Sequence, residues 1–150
     1  TGTLTKNLLT LKPPTLFGDM DEEELTFFAA LAANRKSADM DAIDRVIYDA
    51  IPVRGPADPA DRWTREKLDS FDLVKFVPFN PTIKRTEASL NAPNGAPLRV
   101  TKGAPQVVLR LCLASGTGSD ELKEQVEAKI QEYADKGFRT LGVAVSYSDF

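Results

Sequence analysis

Two lysine-bearing clusters lie close together in the chain. One is Pro78-Phe79-Asn80-Pro81 followed by Lys84-Arg85-Thr86, and the other is Lys102-Gly103-Ala104-Pro105. Each joins an ammonium group to residues that turn the chain sharply or let a backbone come close. An aromatic face at Phe79 and two ammonium groups on one sheet would suit a ligand with a flat ring and phosphates, such as a nucleotide. The same residues also fit a purely structural reading, with Phe79 in the core and both lysines as solvated edge residues.

The clusters must be held by a sheet. Residues 71 to 79 are rich in Phe and Val and read as a strand, with Pro78 and Pro81 bracketing a bend that no central strand should run through. Residues 83 to 91 and 97 to 102 read as two strands flanking Ala92-Pro93-Asn94-Gly95-Ala96, where Asn-Gly signals a hairpin. A two-residue turn would set Glu87 opposite Lys102 and put Lys84 on the other face. Pro93 and Pro97 favour a looser loop. Pairing Ala88 with Lys102 would bring Lys84 and Lys102 to one face, and the nucleotide reading favours that register.

Further strands are expected at 4–11 and 138–147, the latter with Leu141, Val143 and Val145 on one face and Arg139 at its start. Helices are expected at 21–34, where Leu25, Phe28, Leu31 and Ala32 form an apolar face, and at 41–50, from the repeat of Ile43, Val46, Ile47 and Ile51. Asp41 and Asp44 near the start of that second helix suit its dipole. Residues 53 to 70 read as a long surface loop with a helical turn near Trp63 to Leu68. A helix over 104–113 starts at Pro105, and free N–H groups there could meet a phosphate. Ser119 caps a helix over 120–135 with a stripe of Leu122, Val126, Ile130 and Tyr133, and Gly137 stops it. The sum is an α+β fold, a mostly antiparallel sheet flanked by helices, in a single domain over residues 1–150.

Composition narrows the chemistry. The chain of 150 residues is 42% hydrophobic and 27% charged, enough for one domain with a real core. A net charge of −3 and a pI near 5.1 argue against a nucleic-acid-binding surface. No apolar run approaches the ~18 residues that would span a bilayer. There is no histidine and one cysteine, Cys112. Histidine-ligated zinc, Ser-His-Asp and Cys-His catalysis and an internal disulfide are therefore excluded, and no metal site is expected. Cys112 lies in the apolar run VVLRLCLA and reads as core filler. Ser115-Gly116-Thr117-Gly118-Ser119 lacks GK[ST] and a third glycine, so it is a linker and not a phosphate loop. The chain begins at Thr1 without a targeting pattern, which predicts a piece of something longer.

Four segments, in this order, resemble the motifs of one family. Thr1-Gly2-Thr3-Leu4-Thr5 resembles the tail of the P-type ATPase phosphorylation motif. Phe76-Val77-Pro78-Phe79-Asn80-Pro81 with Lys84-Arg85-Thr86 resembles the plasma-membrane proton-pump subgroup. Lys102-Gly103-Ala104-Pro105 resembles the family's lysine-glycine-alanine nucleotide motif, and Gly137-Phe138-Arg139-Thr140-Leu141 its glycine-x-arginine segment. The chain is thereby similar to the nucleotide-binding domain of a P-type proton-transporting ATPase. The family fold, a sheet flanked by helices, agrees with the fold read from the residues.

The resemblance implies specific roles. Phe79 would stack on adenine, Lys84 and Lys102 would line the pocket, Gly103 would let the backbone come close, and Arg139 would reach the phosphates. Asp44, or less surely Asp41, would meet the adenine amino group, where the family often has glutamate. ATP, with Mg²⁺ in the full enzyme, is the implied ligand. The implied partners are the phosphorylation, actuator and membrane domains of the same polypeptide, at the cytosolic face of the plasma membrane. Residues 1–10 would hold the motif tail and a hinge strand. The phosphate-accepting aspartate would lie just before Thr1, so the chain should bind ATP without hydrolysing it. The alternatives are a pump for another cation and a module that binds no nucleotide.

Overall fold

The computed structural model describes residues 21–33, 42–51, 63–114 and 120–146. The expected strand at 4–11, Asp41, and the linker at 115–119 lie outside them, as does most of the 53–70 loop. The described residues form, in order, α1 (Glu22–Leu31), α2 (Ala42–Asp49), α3 (Arg65–Asp69), β1 (Asp72–Val77), β2 (Arg85–Asn91), β3 (Pro97–Gly103), α4 (Pro105–Ala114), α5 (Asp120–Asp135) and β4 (Gly142–Ser146). The strands make one antiparallel sheet in the order β1-β2-β3-β4. The α+β expectation holds. No described helix is long and apolar enough to cross a membrane.

The local signals act as expected in α1. The Asp21 carboxylate accepts from Glu24 N at 2.8 Å, and Glu22, Glu23 and Glu24 crowd the positive end of the helix dipole. The expected single apolar face is a different matter, because Phe27 through Ala33 are all buried. The end of α1 is enclosed on every side, since it packs on α2, α3, β3 and β4 together. Phe27 meets Trp63 at 4.9 Å and Phe71 at 5.6 Å between ring centroids. Burying a side chain of that size contributes roughly 1.5–3 kcal/mol. Trp63, read from sequence as part of a surface loop with a helical turn, thus packs half-buried against the core.

The face of the sheet toward α1 carries Ala88, Leu90, Leu98 and Val100, with Leu73, Phe76, Val143 and Val145 packed at its margin. Leu73 and Phe76 share that face although three apart, because a bulge interrupts β1 between Leu73 and Lys75 and turns Val74 out to solvent. The bulge is why residues 71–79 alternate so poorly in sequence. On the other face, Gly142 of β4 lies against Val108 and Pro105 of α4. Helix α5 packs on α4 and buries none of its residues, so its expected stripe is only half covered. Burial pushes the Cys112 thiol on α4 up, which keeps it protonated near neutral pH. Strand β4 begins at Gly142, so Arg139 precedes it and does not open it as expected.

Both registers weighed for the hairpin are overturned. Thr86 stands opposite Lys102, and Ala88 opposite Val100. The loop has three residues. Gly95 N–H donates to Ala92 O and Ala92 N–H donates to Ala96 O, each at 2.8 Å, with Gly95 in the left-handed region at φ 85°. This is a tight turn followed by a left-handed residue, which shifts the pairing by one relative to a two-residue Asn-Gly turn.

Candidate functional site

All four strands present one end to the same place. There β1 stops at Val77, β2 starts at Arg85, β3 stops at Gly103 and β4 starts at Gly142, with Arg85 paired to Gly103 and Gly103 to Gly142. Lys102 and Gly103 end β3 there, and the segments leaving and entering that end carry Phe79, Lys84 and Arg139. The sheet therefore gathers residues that are far apart in sequence.

Lys102 lies on the core face of β3, two residues beyond Val100, and is only 6% exposed. Its ammonium sits 2.8 Å from Asp44 Oδ1 of α2, and Asp44 is 4% exposed. The pair is close, yet it is not aligned as a hydrogen bond at that oxygen. Asp44 is therefore more than a charge for the helix dipole. It neutralises a lysine that would otherwise be buried alone, and an isolated buried ammonium is costly. Neither group is a solvated edge residue.

Next to this pair the backbone is knotted tightly. Thr86 is buried, and its hydroxyl donates to Ala32 O at 2.7 Å, with Lys102 O also within 3.3 Å. Thr101, fully buried on the opposite face, donates to Thr86 O at 2.7 Å and accepts from Arg85 Nη1 at 3.1 Å. Arg85 Nη1 also reaches Glu87 Oε1 at 3.2 Å. These residues were missed as a positioning network. The alternation of β2 could have placed Thr86 among core residues, but no short-range pattern discloses its partner at the C-terminal cap of α1.

Lys84 is exposed and sits just outside β2. Its N–H donates to Asn80 O at 2.7 Å, while Asn80 Oδ1 accepts from Thr82 N, also at 2.7 Å, so Asn80 shapes the bend after Phe79. Lys84 O accepts from Ala104 N at 3.0 Å. That bond changes the reading of the α4 N-terminus. Ala104 N–H is committed, Pro105 has none, and Val107 and Val108 both donate to Ala104 O at 3.0 and 3.1 Å. The expected row of free N–H groups for a phosphate is largely spoken for.

Phe79 is 60% exposed, not core, and Arg139 is exposed as well. They share the end of the sheet with the other candidates and leave their faces to solvent. The structure thus joins Asp44 to Lys102 by side chains and Lys84 to Gly103–Ala104 by backbone, with Phe79 and Arg139 at the rim. Such an end offers an aromatic plane and cations beside a neutralised buried pair, which suits a ligand with a flat apolar part and an anionic part. Among the described residues no group of three acidic, cysteine or histidine side chains could hold a metal ion.

Comparison with known proteins bears on the chain as a whole. The family model for the P-type ATPase cytoplasmic domain N matches residues 46–149. A putative cation-transporting ATPase of Methanocaldococcus jannaschii is 40% identical over 145 residues, covering 97% of this chain and 16% of that protein. A probable plasma membrane ATPase of Dictyostelium discoideum is 37% identical over 147 residues, covering 98% of this chain and 13% of the relative. The plasma membrane ATPase of Neurospora crassa is 35% identical over 144 residues, 96% of this chain and 15% of its own length. The chain spans about a sixth or less of the relatives it matches.

Proposed function

The chain belongs to the P-type ATPases, with the character of their cytoplasmic domain N, and on that premise we propose that it binds ATP and presents it to an aspartate outside these residues. The observation that carries the proposal is the convergence at one end of the sheet of the buried Lys102–Asp44 pair and the exposed Phe79 and Lys84. Phe79 stacks on adenine, Asp44 and Lys102 face the base end, and Lys84 and Arg139 meet the phosphates. Gly103 belongs to the same site. Mg²⁺, in the full enzyme, would accompany the nucleotide, and no described residue is assigned to hold it.

Magnitudes limit how tightly it binds. Stacking on an aromatic ring is worth about 1–3 kcal/mol, and a charge-assisted hydrogen bond about 1.5–3 kcal/mol. Rigid-body and side-chain ordering oppose both. With one face of the nucleotide open, affinity is weak. Phosphoryl transfer needs in-line positioning and charge stabilisation from both sides, so this chain alone binds ATP without turning it over. Robust stoichiometric phosphorylation of the purified chain by labelled ATP would refute that.

In the whole protein the same domain serves ATP hydrolysis coupled to ion transport at the plasma membrane. The proton reading rests on the Phe79-Asn80-Pro81 pattern and the plasma membrane ATPases among the relatives. The relative named as cation-transporting supports a pump for another cation as the second reading. The test of binding is an ATP titration followed by backbone amide shifts, with Phe79→Ala and Lys84→Ala alongside. Both side chains are exposed, so both variants should stay folded. Saturable shifts around Asp44, Phe79, Lys84, Gly103 and Arg139, weakened in both variants, are expected. Folded variants with no such cluster at millimolar ATP would sink the reading.

A further inference from the structure

Lys84 is the one non-glycine among the described residues with a positive φ, at 59°. An L-residue with a Cβ avoids that region, and a lysine has no side-chain acceptor to compensate. Something must hold it there. Its N–H is tied to Asn80 O and its carbonyl to Ala104 N. The decisive neighbour is Gly103, paired with Arg85 in the ladder. A Cβ at Gly103 would strike the Lys84 carbonyl oxygen, and would lie 2.5 Å from Arg85 Cβ and 2.6 Å from Arg85 Cα. Side chains cannot swing away from a collision with backbone. The space that this glycine keeps open is thus already filled by the chain itself, and no ligand can use it.

We propose that Gly103 is a positioning residue that acts through Lys84: its missing side chain admits the Lys84 carbonyl, which fixes the left-handed turn that sends the Lys84 ammonium off the end of β2 toward the ligand. Gly103 does not itself touch the nucleotide. The inference rests on the ATP-binding reading and adds to it a division of labour within the lysine-glycine pair of β3. Lys102 is directed inward to Asp44, while Gly103 sets the geometry of the exposed lysine just before the neighbouring strand.

The test is a double-mutant cycle on ATP affinity in the 150-residue chain, using Gly103→Ala, Lys84→Ala and the pair. Lys84→Ala is expected to weaken binding by roughly tenfold or more. Gly103→Ala should lose about as much, and the pair should lose little beyond Lys84→Ala alone, because the glycine has nothing left to position. Losses that multiply in full, or an unchanged affinity in Gly103→Ala, would overturn the proposal. Should Gly103→Ala not fold, the wild-type chain still decides. With ATP bound, the Gly103 α-protons should show nuclear Overhauser contacts to Lys84 and Arg85 and none to the nucleotide; contacts to the nucleotide would overturn it. Failure of the parent reading looks different, since wild type then shows no saturable ATP shifts at all, and the proposal falls with it.

Discussion

Lys102 approaches Asp44 at 2.8 Å, and Lys129 approaches Glu132 at the same 2.8 Å. The first pair has side chains 7% and 5% exposed and joins β3 to α2, while the second has side chains 43% and 42% exposed and lies within α5. Equal distances conceal different physics. On α5, water and salt solvate either charge whether or not its partner is present. At the end of the sheet each charge has given up its hydration, so each depends on the other. The buried pair therefore behaves as a structural commitment that the fold makes before any ligand arrives. The side chains of Phe79, Lys84 and Arg139 at the rim remain solvated and cost little to rearrange. The site has one half set by folding and another half free to order on binding.

The contrast is broken most directly at the buried pair. Lys102→Ala or Asp44→Ala should destabilise the chain by about 3–5 kcal/mol, read as a shift in urea midpoint without a change in slope. Removing both together should lose less than the singles combined, because no orphaned charge remains. A single substitution as mild as one on α5 would erase the distinction. For this reason Lys102→Ala is a poor probe of ATP contact, as it disturbs the fold as well.

At the rim the effects should fall on binding alone. Phe79→Ala should weaken ATP by about 1–3 kcal/mol, measured by titration, with an unaltered melting midpoint. A large loss of stability would mean that Phe79 is part of the core after all. Lys84→Gly should separate the two quantities. Glycine takes the left-handed backbone without strain, so stability should rise by about 1 kcal/mol while ATP affinity falls as far as in Lys84→Ala. A destabilised Lys84→Gly would mean that the turn is not strained.

The smallest effect belongs to α5. The hydrogen bond from Lys129, then that from Lys136, holds the Glu132 carboxyl below the usual range, and Glu132 likewise raises Lys129. A lowered carboxyl pKa stabilises only above the unfolded value of about 4.3 and is lost as pH falls through the folded one. Glu132→Gln should therefore match wild type in acid and differ only slightly above it, and less so as salt is added. Thermal melts at several pH values check the sign, and a difference that grows toward acid would contradict it.

Much of this was legible in advance. Acidic residues after Asp21, Pro105 at a helix start, Gly137 past a helix end and Asn94-Gly95 in a turn act within a few residues of themselves, so α1, α4, α5 and the β2–β3 hairpin could be placed. Phe79, Lys84, Lys102, Gly103 and Arg139 could be named as candidates from clusters and from resemblance. The register shows the limit of such signals, since the observed pairing lies one residue from that of the two-residue turn and two from the pairing that the nucleotide reading favoured. Counting Asn-Gly as a two-residue turn was a sound local inference, but the choice between turns of similar energy is made by which residues the whole of β2 and β3 can bury.

Local patterning by itself determined the helices, the hairpin and the chemical character of the sheet end, because caps, prolines and hydrophobic period act over short stretches of chain. Only the tertiary structure decided that Lys102 turns inward to Asp44, that Thr86 is tied to Ala32, that Gly103 makes room for the Lys84 carbonyl and that α5 stays half exposed. Each of those outcomes depends on which distant element excludes water from a given side chain, and solvation of that kind is a property of packing, not of sequence neighbours.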